Sequence, residues 1–168
     1  MLAGIKNKLK RMDNQGIFDF VDDLLAQGIS LAIIGGYAVN FHGYLRTTED
    51  IDLVFRRDAG IDQLLFERLA AWEAYWIGDE INSATGLEVT YPITLDYVRQ
   101  HRLLLLGTKV GYVDLFDFLP GLPGESIDDL IATAEISEGR PYCSLEWLKR
   151  LKQASARPQD MVDLKHLP

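Results

Sequence analysis

The run Leu31-Ala32-Ile33-Ile34, closed by Gly35-Gly36, constrains the fold of this 168-residue chain more than any other feature. Four consecutive apolar residues leave no side to turn to water, so as a strand the run must be buried on both faces. Helices with suitable apolar faces flank it. Ile17, Phe20, Val21, Leu24 and Leu25 recur at helical spacing, with Asp13 or Asn14 as the candidate N-cap and Gly28 at the C-terminal stop. The glycine pair opens a short helix over residues 37–41, stopped by Gly43. Residues 50–55 then read as a second strand that begins by alternating acid and hydrophobe. Behind Asp58 as a cap, Ile61, Leu64, Leu65, Leu69 and Trp72 share a helical face. Residues 74–100 are the least legible stretch: Leu87, Val89, Tyr91 and Ile93 alternate like a half-buried strand, and residues 96–100 have helical character. Residues 103–106 and 110–118 form the arms of a hairpin turning at Gly107-Thr108-Lys109. Ser126 and Ser144 cap two further helices, and Pro158 suits the first turn of a last one. This order predicts an α/β (α+β) domain with a mixed central sheet, flanking helices and a helical C-terminus. We expect one unit over residues 1–168, with a core over about 13–120 and a helical segment over about 126–167.

Composition narrows the function classes. At 48 % hydrophobic and 25 % charged residues the chain has the make-up of a soluble globular protein, and no apolar run reaches the roughly 20 residues that span a bilayer. The start, Met1-Leu2-Ala3-Gly4-Ile5-Lys6, has no signal-peptide h-region, so a cytoplasmic location and no membrane partner are expected. The single cysteine, Cys143, rules out an internal disulfide, and His42, His101 and His166 stand at no ligand-like spacing. Any metal is therefore expected to be oxygen-bound. The net charge of −8 disfavours nonspecific grip on nucleic acid. Cationic residues cluster at Lys6/Lys8/Lys10/Arg11, Arg56/Arg57 and Lys149/Arg150/Lys152/Arg157, and each cluster reads first as a solvated face.

Three features point to one site. Gly35-Gly36 lies between a strand and a helix, where absent side chains let backbone N–H groups approach a phosphate. Asp50 and Asp52, at i and i+2 of a strand, project from one face roughly 7 Å apart at Cα. Such a pair can bridge cations, including two Mg²⁺ about 4 Å apart that clamp the oxygens of a phosphoryl displacement. Acids at a strand start often do no more than solvate its edge, but these lead directly into Leu53-Val54-Phe55, where like charges repel unless a cation offsets them. The third feature is Asp114, a charge inside the apolar run Val113-Asp114-Leu115-Phe116. Asp117, three residues on, faces the opposite side of the strand, so at most one of the two joins Asp50 and Asp52. Asp114 is preferred, as a metal-linked group or as the base that receives an acceptor's proton; Asp117 is the fallback.

Gly35-Gly36-Tyr37-Ala38-Val39, His42-Gly43, Arg46, Thr48 and Asp50-Ile51-Asp52-Leu53 together resemble the opening of the DNA-polymerase-β nucleotidyltransferase superfamily. That signature is Gly-Gly/Ser, a spacer, then Asp-x-Asp, and Asp50 follows Gly36 by fourteen positions, as in small bacterial members. Those members include abortive-infection toxins and the lincosamide and aminoglycoside adenylyltransferases. The run from Ser144-Leu145-Glu146-Trp147-Leu148 through Lys152, Ala154, Arg157-Pro158, Asp160 and Asp163-Leu164 is similar to the ending of the toxin group. The resemblance covers roughly residues 30–56 and 110–167. It implies a minimal nucleotidyltransferase fold in which Gly35 and Gly36 cradle nucleotide phosphates, Asp50, Asp52 and Asp114 hold Mg²⁺, and Lys152 and Arg46 contact the phosphates. Read from the residues alone, Lys152 is a solvated lysine opposite Leu145, Leu148 and Leu151, Arg46 a turn arginine, and Arg157 with Asp160 a helix-surface pair. Gly36 departs from the serine that many relatives carry. Only 54 residues follow Asp114, too few for a separate helical RNA-binding domain.

The expected function is transfer of a nucleoside monophosphate from an NTP, ATP among the candidates, to an unidentified hydroxyl on a small molecule, a protein or RNA, with RNA the less favoured. The alternative is a nucleotidyltransferase-like domain that no longer catalyses and serves as a nucleotide-binding module or as one half of a toxin and antidote pair. A purely structural domain would leave Asp50, Asp52 and Asp114 as three unrelated accidents. Residues 74–100 are where acceptor choice is expected to lie.

Overall fold

Leu31 and Ile33 point into one apolar cluster and Ala32 and Ile34 into another, so β1 (Leu31–Ile34) is buried on both faces, as its sequence demands. A computed structural model describes residues 14–168. The Lys6/Lys8/Lys10/Arg11 cluster and the candidate cap Asp13 lie outside the described residues. On the first face of β1, α1 (Asn14–Ala26) lays down Ile17, Phe20, Val21 and Leu24. They meet Leu65 and Leu69 of α3 (Ile61–Ala71) and Val98 of α4 (Leu95–Gln100). On the second face, Ala38 and Val39 of α2 (Gly35–Phe41) pack with Leu130 of α5 (Ile127–Ala132) and with Trp147, Leu148 and Leu151 of α6 (Leu145–Ser155). A final helix, α7 (Pro158–His166), packs on α6.

The remaining strands are β2 (Asp50–Phe55), β3 (Tyr75–Ile81), β4 (Glu88–Pro92), β5 (Leu103–Thr108), β6 (Gly111–Phe116), β7 (Glu135–Ser137) and β8 (Arg140–Tyr142). They form one mixed sheet in the order β4-β3-β5-β6-β2-β1-β8-β7, with β2–β6 and β1–β8 parallel and the other pairs antiparallel. The mixed α+β architecture predicted from the order of elements is the one observed. The described helices are none of them long and apolar enough to cross a membrane.

Local chemistry explains most element ends. Gly28 takes a left-handed conformation (φ 80°) just past α1. Ser126 and Ser144 accept N–H bonds from Asp128 and Trp147 at the starts of α5 and α6. Pro158 occupies the first turn of α7. Asp58 is not the cap of α3. That place falls to Gly60, left-handed at φ 80°, while the Asp58 carboxylate pairs with Arg56. The hairpin turn falls at Lys109-Val110 rather than at residues 107–109, because the Thr108 hydroxyl closes it by donating to the Gly111 carbonyl at 2.8 Å. Strands β3, β7 and β8 carry no regular alternation and were not expected. The alternation over 87–93 belongs to β4, although Leu87 remains exposed and Ile93 is buried beyond the strand end.

The two faces of the sheet are not covered equally. Leu104, Leu106, Val113 and Leu115 are buried under the first helical layer. On the other face the helical layer ends near β6, and Leu105 and Tyr112 are each 49 % exposed.

Candidate active site

Three carboxylates meet where β2 and β6 run side by side. Asp50 and Asp52 share the face that also carries Val54, and the parallel register sets Asp52 beside Asp114 on that face. One carboxylate oxygen from each of the three lies within 4.8 Å of the others. Asp117, the fallback, is directed elsewhere: its buried carboxylate is held at 2.6 Å by both Arg57 and Arg102.

The antiparallel register Ile34↔Asp52 brings the chain out of β1 directly against Asp52. Only glycine fits there. Gly35 sits at φ 62°, and a Cβ on it would stand 1.9 Å from Asp52 Oδ2. A Cβ on Gly36 would stand 2.4 Å from Thr48 Oγ1, so Thr48 fills the space that a serine side chain at position 36 would take. The Gly36 N–H donates to the Asp52 carboxylate, fixing the first turn of α2 over the acids.

Arg46, Lys152 and Arg157 form the opposite wall. Lys152 is not solvated. It is 4 % exposed, and its Nζ lies 2.8 Å from Asp160 Oδ1 and 2.8 Å from Asp163 Oδ2. Arg46 makes a two-pronged pair with Asp163, at 2.7 and 2.9 Å. Arg157 donates from Nε to Asp160 at 2.9 Å, and its backbone N–H joins the same carboxylate in a capping box. Asp160 is thus a buried anchor rather than half of a surface pair. Sequence reasoning missed the joint role of Asp160 and Asp163. Their i, i+3 spacing sets both on one face of α7, the face that receives the cations of α6 and of the turn before β2.

Gly35, Gly36, Arg46, Asp50, Asp52, Asp114 and Lys152, the residues preferred for the site from the sequence, line one cleft of about 600 Å³. Its charges are separated: carboxylates on the sheet wall, ion-paired cations on the helical wall. Burial, then repulsion by Asp50, pushes Asp52 up to about 6, against the partial relief of Lys152, Arg157 and the Gly36 N–H. Burial, then Asp52 and Asp50, pushes Asp114 up to about 7. A set of three oxygen donors so reluctant to carry its full negative charge fits a hard divalent cation such as Mg²⁺.

These raised values set a pH dependence. Where the folded pKa lies above the unfolded one, the folded state binds more protons between the two, and stability rises as pH falls. In chelator, the thermal unfolding midpoint is expected to rise as pH is lowered from about 7.5 to about 5.5, with the rise blunted by saturating Mg²⁺. A flat or falling midpoint by differential scanning fluorimetry would contradict the raised pair.

No family model matches the chain, and no curated protein matches it in sequence. Solved structures do match. A lincosamide antibiotic adenylyltransferase, LnuA, with lincomycin bound superposes at TM-score 0.54 and 18 % identity over 92 % of this chain and 95 % of its own. ANT(2")-Ia, in complex with adenylyl-2"-tobramycin, gives TM-score 0.54 and 16 % identity over 90 % and 84 %. An antigenic nucleotidyltransferase-like protein from Paracoccidioides brasiliensis gives 0.52 and 20 % over 90 % and 72 %. The chain has the fold of the nucleotidyltransferase superfamily. Within that fold it is similar to structures of antibiotic adenylyltransferases along nearly its whole length.

Proposed function

We propose that this chain is a Mg²⁺-dependent nucleotidyltransferase that moves a nucleoside monophosphate from an NTP to a hydroxyl acceptor. The observation that carries the reading is the register Asp52↔Asp114, which completes a carboxylate triad facing Arg46 and Lys152 across one cleft. Two of the similar structures are adenylyltransferases, which supports nucleotidyl transfer as the chemistry.

Asp50, Asp52 and Asp114 would hold Mg²⁺, which when bound supplies charge neutralisation at the phosphates. The Gly35-Gly36 turn lets the triphosphate approach the backbone closely, since neither residue has a side chain to keep it away. Lys152 and Arg46 offset phosphate charge from fixed positions, because Asp160 and Asp163 hold their cationic ends and little rearrangement is needed at the moment of reaction. The acceptor oxygen forms a bond to the α-phosphorus as the bond to the departing pyrophosphate breaks. Asp114, whose carboxylate lies at the edge of the triad toward β5, takes the hydroxyl proton.

Calorimetric titration of each of the four NTPs, with and without Mg²⁺, tests this on wild type and on an Asp50→Asn/Asp52→Asn variant. Metal-dependent binding that is lost in the variant is the expected result. A folded wild type that binds no NTP in either condition would sink the reading.

A further inference from the structure

The cations of the cleft all stand on one side of the triad. Arg46 precedes β2, and Lys152 and Arg157 come from α6 and the start of α7. On the other side the sheet continues through β6, β5, β3 and β4, and these four strands contain no lysine or arginine at all. The surface they offer is apolar and aromatic. Leu105 pairs directly beside Asp114, and Tyr112 directly beside Asp50, so both lie on the face of the acids. Gly107 pairs with Tyr112 and with Tyr75, and the Tyr75 ring occupies the space above Gly107, where a Cβ would stand 2.1 Å from its Cζ. Tyr75 and Tyr112 share a side-chain hydrogen bond. The result is a floor that runs from the triad outward along the sheet, half exposed at Leu105 and Tyr112 although Leu104, Leu106, Val113 and Leu115 on the reverse side of β5 and β6 are buried.

We propose that this floor is the acceptor subsite of the transferase reading above, on which the inference rests, and that it selects a small, uncharged, hydroxyl-bearing molecule with an apolar or ring face. A ring laid on Tyr112 and Leu105 brings its hydroxyl beside Asp114, the group that takes the proton. Tyrosine suits this task, with a flat apolar body for the ring and a polar tip for a hydroxyl. A phosphate-rich acceptor finds nothing here to pair with, since grip on nucleic acid depends on cations tracking the backbone. The exposed carboxylates of Asp79 and Glu88 farther out on β3 and β4 repel it further. Phosphate is thereby directed to the helical side of the triad and the acceptor to the open side.

The test uses the full chain with α-labelled NTPs and Mg²⁺, phenyl β-D-glucopyranoside as the neutral ring-bearing probe, and a short RNA with a free 3′-hydroxyl as the phosphate-rich one. Label is expected on the glucoside and not on the RNA. Tyr112→Ala and Leu105→Ser are expected to lower transfer to the glucoside at least tenfold while NTP titrations stay as in wild type. The proposal is overturned if RNA is labelled in preference, if the glucoside is not labelled although NTP binds, or if both variants transfer as well as wild type. It is also overturned if sedimentation and hydrogen exchange show a second copy of the chain covering Leu105 and Tyr112. Absence of NTP binding by the wild type would instead sink the transferase reading itself.

Discussion

Asp52→Asn is expected to lower nucleotidyl transfer by about 10³-fold, equivalent to about 4 kcal/mol of transition-state stabilisation, while making the metal-free protein more stable. Asp52 sits between its neighbours: two residues from Asp50 on β2, beside Asp114 across the sheet, and against Gly35 and Gly36. Asparagine keeps the shape and can still accept the Gly36 N–H, but it offers a cation one neutral oxygen in place of a carboxylate. Burial and Asp50 already hold the Asp52 carboxyl near 6, so removing its charge relieves repulsion and raises stability by about 1 kcal/mol at neutral pH. Calorimetric unfolding in chelator and a labelled-NTP assay on the same preparation would show both effects. A variant that retains full transfer would overturn the assignment of Asp52.

Lys152→Met is expected to cost about 3 kcal/mol of stability, near the lower end for a buried pair that loses one partner. Methionine fills the same volume, so packing in α6 is kept and the loss is electrostatic. Two carboxylates that are 1 % exposed or less lose a shared ammonium. Arg157 still serves Asp160, and Arg46 and Gln159 still serve Asp163, which limits the damage. For a chain of this length the midpoint should fall by roughly 6–12 °C. Burial alone would raise Asp160 and Asp163, but hydrogen bonds from Arg157, Arg46 and Lys152 outweigh it and hold both below the usual carboxylate range. Their contribution is therefore present above an unfolded pKa of about 4 and is lost as pH falls below it. The gap between wild type and variant should close in acid. A variant as stable as wild type at pH 7 would show that the network contributes nothing net.

The sequence announced the sheet wall of the cleft far better than the helical wall. Leu31–Ile34 and Asp50–Phe55 are strands at the positions their apolar runs and flanking turn residues predict, because short apolar runs between polar or glycine turns have few other options. Asp114 stands out as a charge inside an apolar run; the two-residue period of a strand allows only one of Asp114 and Asp117 on the acid face, and the flanking Val113 and Leu115 favour Asp114. Lys152 was harder. Residue 152 stands at i+4 from Leu148 and i+7 from Leu145, on the apolar stripe of α6 itself, so helical spacing already places it on the buried face. What periodicity within α6 cannot reveal is the pair of carboxylates that receives its charge, Asp160 and Asp163, which approach from α7. The same holds for β7 and β8, three residues each, whose pairing with one another and with β1 is stronger than any local preference.

The parallel pairing of β2 with β6 carries a consequence for the order of folding. Asp52 and Asp114 are neighbours across strands whose intervening chain includes α3, α4 and three other strands, so the ladder between them closes a long loop. Contacts of such sequence separation form slowly and late, after the local hairpins and helices that reduce the search. Three mutually repelling carboxylates brought together at that step add nothing to its driving force. A cation that binds only once the ladder exists acts after the barrier, so it should leave the refolding rate nearly unchanged and slow unfolding instead, making persistence of the native state the property most sensitive to the ion.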